Sequence, residues 1–199
     1  AVIANLPLPI IGAPLFIISN PKLVIEQCKA GVVGSMPSLN ARPASQLDEW
    51  LTRIREELDA YAQANPGAKV APFAVNQICH ASNDRLMKDM ETCVKHQVPI
   101  IITSLRPPIE IVEAAHSYGG VVFHDVINVK HARKAAEHGV DGLILVCAGA
   151  GGHAGTLSPF ALLREVFTPD VDAVYEGVQV AGGIDALLAF VTGTSDIRL

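Results

Sequence analysis

Residues 148–155 read Ala-Gly-Ala-Gly-Gly-His-Ala-Gly and follow an apolar run from Gly142 to Cys147. Four glycines in eight positions let backbone come within contact distance of a flat or anionic ligand, because no Cβ intervenes and positive φ costs little. His153 is the one side chain of the stretch with acid–base chemistry. Imidazole titrates near pH ~6.5, so a modest environment makes it a base or a donor at neutral pH. A flexible turn with an exposed histidine fits the same letters, but the apolar run before and the helical pattern after favour a site.

Other candidates lie directly after apolar runs, since ligands of parallel α/β folds gather at the carboxyl ends of strands. Those positions are Gly12, Ala13 and Pro14, then Ser35 and Met36, Asn76 and Gln77, Ser104, His124 and Asp125, Gly149 to His153, and Ala181 to Gly183. Gly182-Gly183 precedes a helical pattern, where bare amides and a helix start can hold phosphate; a tight turn fits equally well. Asn76 offers a donor and an acceptor to a heterocycle edge, or caps a loop. His124 and Asp125 are adjacent on an extended chain, so they point to opposite faces and do not pair. His96, His116, His131 and His138 fall on outer helices and read as solvated, whereas His80 lies in a loop after a strand. No GxSxG, P-loop or helix-opening GxGxxG is present, which removes weight from hydrolase and simple dinucleotide-fold readings.

The elements that must position these groups alternate. Apolar, β-branched runs at Pro9 to Ile11, Val32 to Gly34, Ala71 to Asn76, Ile100 to Thr103, Val121 to Phe123, Leu143 to Val146 and Gly177 to Val180 predict strands separated by amphipathic helices. Asn20-Pro21 predicts a capped helix start, with Gly31 closing that helix. Ser45 with Asp48 resembles a capping box ahead of Leu47, Trp50, Leu51, Ile54, Leu58 and Tyr61 at helical spacing. Asn83, Pro107-Pro108 and Asn128 predict further starts, the last helix ending at Gly139. A (β/α)8 barrel and an open doubly wound sheet both fit this alternation. For a barrel, which takes ~250 residues and ~200 at the low end, the eighth strand would have to come from Thr192 to Leu199.

Composition narrows the class. The 199 residues are half hydrophobic and 18% charged, with net charge −5 and no basic cluster, which fits one globular domain over 1–199 and disfavours nucleic-acid binding. Cys28, Cys79, Cys93 and Cys147 have neither CxxC nor zinc-type spacing, so no metal site and no disulfide framework is expected. The apolar stretch from Ala1 to Ser19 lacks a basic head and is broken by Pro7, Pro9, Gly12 and Pro14. It is expected to be a buried strand with an irregular approach, not a signal peptide or membrane span, and the default location is cytoplasmic.

Taken with Pro9-Ile-Ile-Gly-Ala-Pro14, Gly31-Val-Val-Gly-Ser-Met36, Phe73-Ala-Val-Asn76 and Thr156-Leu-Ser-Pro-Phe160, the block from Asp141 to Gly155 resembles the nitronate monooxygenase family, formerly 2-nitropropane dioxygenases. These are FMN-dependent TIM-barrel enzymes, with flavin-dependent enoyl-acyl carrier protein reductases as relatives. The resemblance runs from Pro7 to about Val166. It implies a (β/α)8 TIM-type barrel in which Gly12, Ala13 and Pro14 pass beneath the isoalloxazine and Asn76 contacts the flavin. Gly151, Gly152, Gly182 and Gly183 would give amides to FMN, with His124 and Ala181 as further cofactor-binding positions. His153 would be the catalytic base. The implied reaction is oxidation of an alkyl nitronate such as propionate 3-nitronate, or a nitroalkane, by dioxygen, in a protein that could form a homodimer.

The tail departs from the family pattern, since Gly193-Thr194 follows a short helical stretch and Ser195 stands where arginine is expected. That implies a barrel incomplete at its eighth strand, with weak flavin retention. Two alternatives share the sequence: an NAD(P)H-dependent flavin reductase acting on a quinone or enoyl thioester, and a truncated inactive binding module.

Overall fold

The computed structural model describes Leu6, residues 9–106, residues 109–167 and residues 179–181. Gly182, Gly183, the helix expected from Asp185 to Phe190 and the tail from Thr192 lie outside the described residues. So does the helix start expected at Pro107-Pro108.

The chain alternates as its patterning predicts. A parallel bridge joins Ile11 to Val33. Then come α1 (Pro21–Lys29), β1 (Gly34–Pro37), a 3-10 turn (Ser38–Asn40), α2 (Gln46–Ala64), β2 (Phe73–Cys79), α3 (Leu86–Lys95) and β3 (Ile100–Leu105). They are followed by α4 (Ile109–His116), β4 (Val121–Val126), α5 (Val129–Glu137), β5 (Gly142–Leu145), α6 (Pro159–Val166) and β6 (Gln179–Ala181). The six named strands form one parallel sheet in the order β1-β2-β3-β4-β5-β6. Each strand therefore pairs with the next in sequence, and the order never reverses. A doubly wound sheet requires such a reversal at its switch point, so the sequential order is that of a barrel wall.

Local chemistry explains the helices. Asn20 caps α1 through Oδ1, which accepts from Lys22 N and Leu23 N, and Pro21 opens the first turn. Val24, Ile25 and Cys28 form its buried stripe, and Gly31 turns the chain out with φ +82°. Asn128 caps α5 by accepting from His131 N at 2.8 Å, and Gly139, at φ +80°, ends it. In α2 the expected stripe is buried at Leu47, Leu51, Ile54 and Leu58, but the expected capping box does not form. Ser45 is already helical, at φ −58° and ψ −26°, and its side chain makes no capping bond. Asp48 instead meets Lys95 Nζ and His96 Nε2, each at 2.7 Å, tying α2 to the end of α3. His96, expected to be solvated, is accordingly held with its side chain 11% exposed.

The strands β1 to β5 are buried on both faces over most of their length. Outward-facing Met36, Val75, Ile101, Val122 and Leu143 pack with helix residues such as Ile25, Leu51 and Met90 in the main core. The opposite faces supply a second core of Val33, Ala74, Ile100, Ile102 and Phe123, joined by Leu6, Ile11 and Ile144, with no helix residue in it. A core with no helix residue, built mainly from strand side chains, is the interior of a curled sheet.

β1 lies further along the chain than the apolar run predicts. Gly34 reads as a strand end, yet it is the first strand residue, because α1 crosses so closely that a Cβ there would stand 2.4 Å from the carbonyl oxygen of Val24. Backbone cannot yield as a side chain can. Gly34→Ala should therefore destabilise the protein by roughly 1–3 kcal/mol, read as a lower urea midpoint at unchanged m-value. An unchanged midpoint would mean that α1 can retreat from β1.

Candidate active site

Side-chain alternation decides which strand-end residues face the interior. Asn76 shares its face of β2 with Ala74, Ser104 its face of β3 with Ile102, and Asp125 its face of β4 with Phe123, and Ala74, Ile102 and Phe123 are members of the inner core. These three polar groups are joined across neighbouring strands. Asn76 Nδ2 donates to the Ile102 carbonyl at 3.3 Å and to Ser104 Oγ at 2.9 Å, and Ser104 donates to Asp125 Oδ2 at 2.8 Å. Burial pushes the Asp125 carboxyl up to about 6, against the Ser104 bond, which pulls it down. A carboxyl held near neutrality at strand ends is a group able to hold a proton at working pH.

The next residues along each strand face the helices. Gln77 accepts from Ser38 Oγ at 3.0 Å and donates to Cys93 Sγ at 3.4 Å. His124 is buried, with Nδ1 2.7 Å from the Thr103 hydroxyl. Burial, then the positive charges of His131 and His138, push it down to about 4. His124 thus stands as a neutral imidazole in the helix-side layer, apart from the interior group. Its neighbour Asp125 takes the interior position. Ser104 and Asp125 were visible as strand-end residues, but a strand apolar on both faces gives no signal of which parity points inward.

The remaining expected residues come to the same carboxyl-end side through the parallel topology. Gly12 donates its amide to the Val33 carbonyl at 2.8 Å, and its own carbonyl accepts from Ser35 Oγ. Ala13 is exposed and Pro14 half-buried. The following segment differs from the buried strand expected there. Asn40 Nδ2 donates to the carbonyls of Leu15, at 3.0 Å, and Ser19, at 2.8 Å, while Asn40 Oδ1 accepts from Ile17 N at 3.2 Å. Pinned in this way, Leu15, Phe16, Ile17 and Ile18 project outward, Ile17 at 75% exposure and φ +66°.

The Gly-rich loop leaves β5 and returns to it. Gly155 N donates to the Cys147 carbonyl at 3.2 Å and Ala148 N to the Leu157 carbonyl at 2.7 Å. Gly155 is sterically required, since a Cβ would lie 2.2 Å from the Val146 carbonyl oxygen, and Gly149 adopts φ +88°. At Gly151 and Gly152 a Cβ would meet nothing within 4 Å, so packing among the described residues makes no demand for glycine there. His153 is exposed between them and the start of α6, where Ser158 Oγ accepts from Ala161 N at 3.2 Å. Ala181 pairs with Ile144 at the end of β6. His80 is exposed, with Nδ1 2.8 Å from Ser82 Oγ. Among the described residues no group of three or more His, Cys, Asp or Glu could hold a metal ion, and no helix is long and apolar enough to cross a membrane.

Comparison with known proteins places this arrangement. A nitronate monooxygenase of Neurospora crassa is 28% identical over 88% of this chain and 53% of its own length. The chain is similar to that enzyme along most of its length. A (3aS,4S,5R,7aS)-5-hydroxy-7a-methyl-1-oxo-octahydro-1H-indene-4-carboxyl-CoA dehydrogenase of Rhodococcus jostii is 27% identical over 88% of the chain and 44% of the relative. The chain thus spans about half the length of the curated relatives it matches. No family profile matches it. Among solved structures, FabK from Thermotoga maritima superposes with TM-score 0.74 at 20% identity, covering 94% of this chain and 57% of that one. Nitroalkane oxidase from Streptomyces ansochromogenes does so with TM-score 0.74 at 19% identity, covering 93% and 63%. Both share the fold, and the relatives named for a reaction are oxidoreductases.

The buried imidazole gives a test of this layout. His124 refuses a proton that the unfolded chain takes up near pH ~6.5, so stability is lost as pH falls from there towards about 4. His124→Gln should recover on the order of 3 kcal/mol relative to the parent between neutral pH and about pH 4, measured by urea denaturation. A pH-independent difference between the two proteins would remove His124 as the source.

Proposed function

We propose that this chain is the flavin-binding part of an FMN-dependent oxidoreductase that oxidises alkyl nitronates with dioxygen, with His153 as the proton-handling residue. The observation that carries the reading is the Gly-Gly-His loop after β5 in a sequentially ordered parallel sheet, in a chain related over most of its length to a nitronate monooxygenase.

The residues present fit such a group. Gly151 and Gly152 keep open space that their own packing does not require, which suits backbone amides turned to a ribityl phosphate. Gly12, Ala13 and Pro14 form a low surface after the first strand segment for a flat ring, and Asn76 presents an amide oxygen to its edge. Ala181 brings the chain to the same end from β6, leading to Gly182 and Gly183 as further amide donors. A bound flavin supplies two-electron redox capacity, which no side chain of the site has.

The chain's own residues do the rest. His153, exposed on the loop, takes or returns a proton at the substrate carbon that bears nitrogen, an action typically worth ~10² to 10⁴ in rate. A second reading is an NAD(P)H-dependent flavin reductase of quinone or enoyl-thioester type; the carboxyl-CoA name of one relative supports only its thioester substrate class.

Two measurements decide. The purified protein should take up FMN and show flavin absorbance, and under anaerobic conditions propionate 3-nitronate should bleach it while NADH does not. Bleaching by NADH alone would overturn the nitronate reading in favour of the second. His153→Ala should lower nitronate turnover by ~10²-fold or more and leave flavin binding intact. Unchanged turnover would take His153 out of the reaction.

A further inference from the structure

The polar rail at the interior ends of β2, β3 and β4 has a direction fixed at both ends. A carbonyl oxygen can only accept, so the Asn76 group 3.3 Å from the Ile102 carbonyl is its amide nitrogen, and that nitrogen also reaches Ser104 Oγ at 2.9 Å. Both amide hydrogens are then used. Ser104 has one proton and gives it to Asp125 Oδ2 at 2.8 Å. The donors of the rail are spent, and Asn76 Oδ1 and Asp125 Oδ1 remain as acceptors to which no described residue donates.

We propose that these two oxygens form a ligand-binding edge that accepts N–H or O–H donors from the molecule held at the strand ends, with Asp125 as its charged member. The proposal rests on the flavin reading above and adds a residue and a polarity to it. A flavin offers donors of both kinds, a ring N–H and the ribityl hydroxyls. An edge of acceptors repels a phosphate, which presents only acceptors at neutral pH, so the edge also fixes which end of the ligand lies over β2–β4 and which lies towards the loop at 148–155.

Protonation tunes the edge. From β3 Asp125 meets the uncharged Ser104 hydroxyl, and from β5 its register partner is apolar Ile144, so no described charged side chain from either neighbour offsets its burial. As pH falls through about 6 the carboxyl gains a proton, and half of the acceptor edge becomes a donor.

The test is a titration of the full chain, freed of bound flavin, with FMN and with lumiflavin, followed by quenching of flavin fluorescence. Parent, Asp125→Asn and Ser104→Ala are compared at about pH 7.5 and about pH 5, on either side of the carboxyl's titration. Asp125→Asn should weaken FMN binding about tenfold or more at the higher pH, and the gap should close at the lower pH as the parent protonates. Ser104→Ala, which frees the carboxyl to turn, should weaken binding by a smaller factor. A matching loss for lumiflavin assigns the donor to the ring N–H, and a loss confined to FMN assigns it to the ribityl chain. Without ligand, Asp125→Asn should melt at least as high as the parent at the higher pH, because it removes a buried charge. If Asp125→Asn does not fold, Ser104→Ala decides. Parent binding that both variants match at both pH values overturns this inference alone, and a parent that binds neither flavin overturns it together with the flavin reading.

Discussion

Parallel pairing between successive strands is the constraint on which the other features depend. Because β1 to β6 all run the same way, every strand ends on one side of the sheet, and chain segments far apart in sequence deliver Gly12, Asn76, Asp125, the Gly-rich loop and Ala181 to that side. The registers are the finer half of the constraint. Thr103 lies beside His124 and Asp125 beside Ile144, so the identity of each inward-facing residue follows from which residue its neighbour places there. A slip of one residue would exchange Asp125 for His124 and send a neutral imidazole into the interior.

Such a sheet is stable only when both of its faces are covered, and the two cores do this with different materials. The helix side is filled by long aliphatic residues from five helices, by two alanines of α5 and by buried thiols. Burial pushes Cys28 up to about 11 and Cys79 and Cys93 up to about 12, so these sulfurs pack as thiols and do not act as nucleophiles. The inner side is smaller and turns polar towards the carboxyl ends, where Ser35, Asn76, Ser104 and Asp125 follow its apolar layer. The interior can carry these groups because each is bonded to another strand or to backbone; unpaired, each would cost its desolvation.

Much of this was legible in the chain. Five of the seven apolar runs, the caps at Asn20 and Asn128 and the buried stripe of α2 follow from short-range rules and stand in the structure within a few residues; the run at Pro9 to Ile11 gives a single bridge to Val33, and of the run at Gly177 to Val180 the described part lies in β6. What stayed hidden depends on neighbours distant in sequence. Gly34 looks like a terminator until α1 is seen against it. Ser45 looks like a cap until Asp48 is seen bridging to Lys95 and His96. The exposed Leu15–Ile18 segment reads as strand because its letters are apolar, and the bonds it makes to Asn40 and Ser19 explain why its backbone turns away. The inward parity at His124 and Asp125 is the clearest case, since a strand greasy on both sides carries no amphipathic record of its orientation.

The way the Gly-rich loop is tied has a consequence for how such a chain can diversify. Its departure and its return are tied by two backbone hydrogen bonds, Gly155 N to the Cys147 carbonyl and Ala148 N to the Leu157 carbonyl, while the residues between them lie outside the strands. The stretch in between is therefore a cassette. Evolution, or an engineer, can rewrite its interior letters to suit a new reactant and leave the folding problem already solved beneath it.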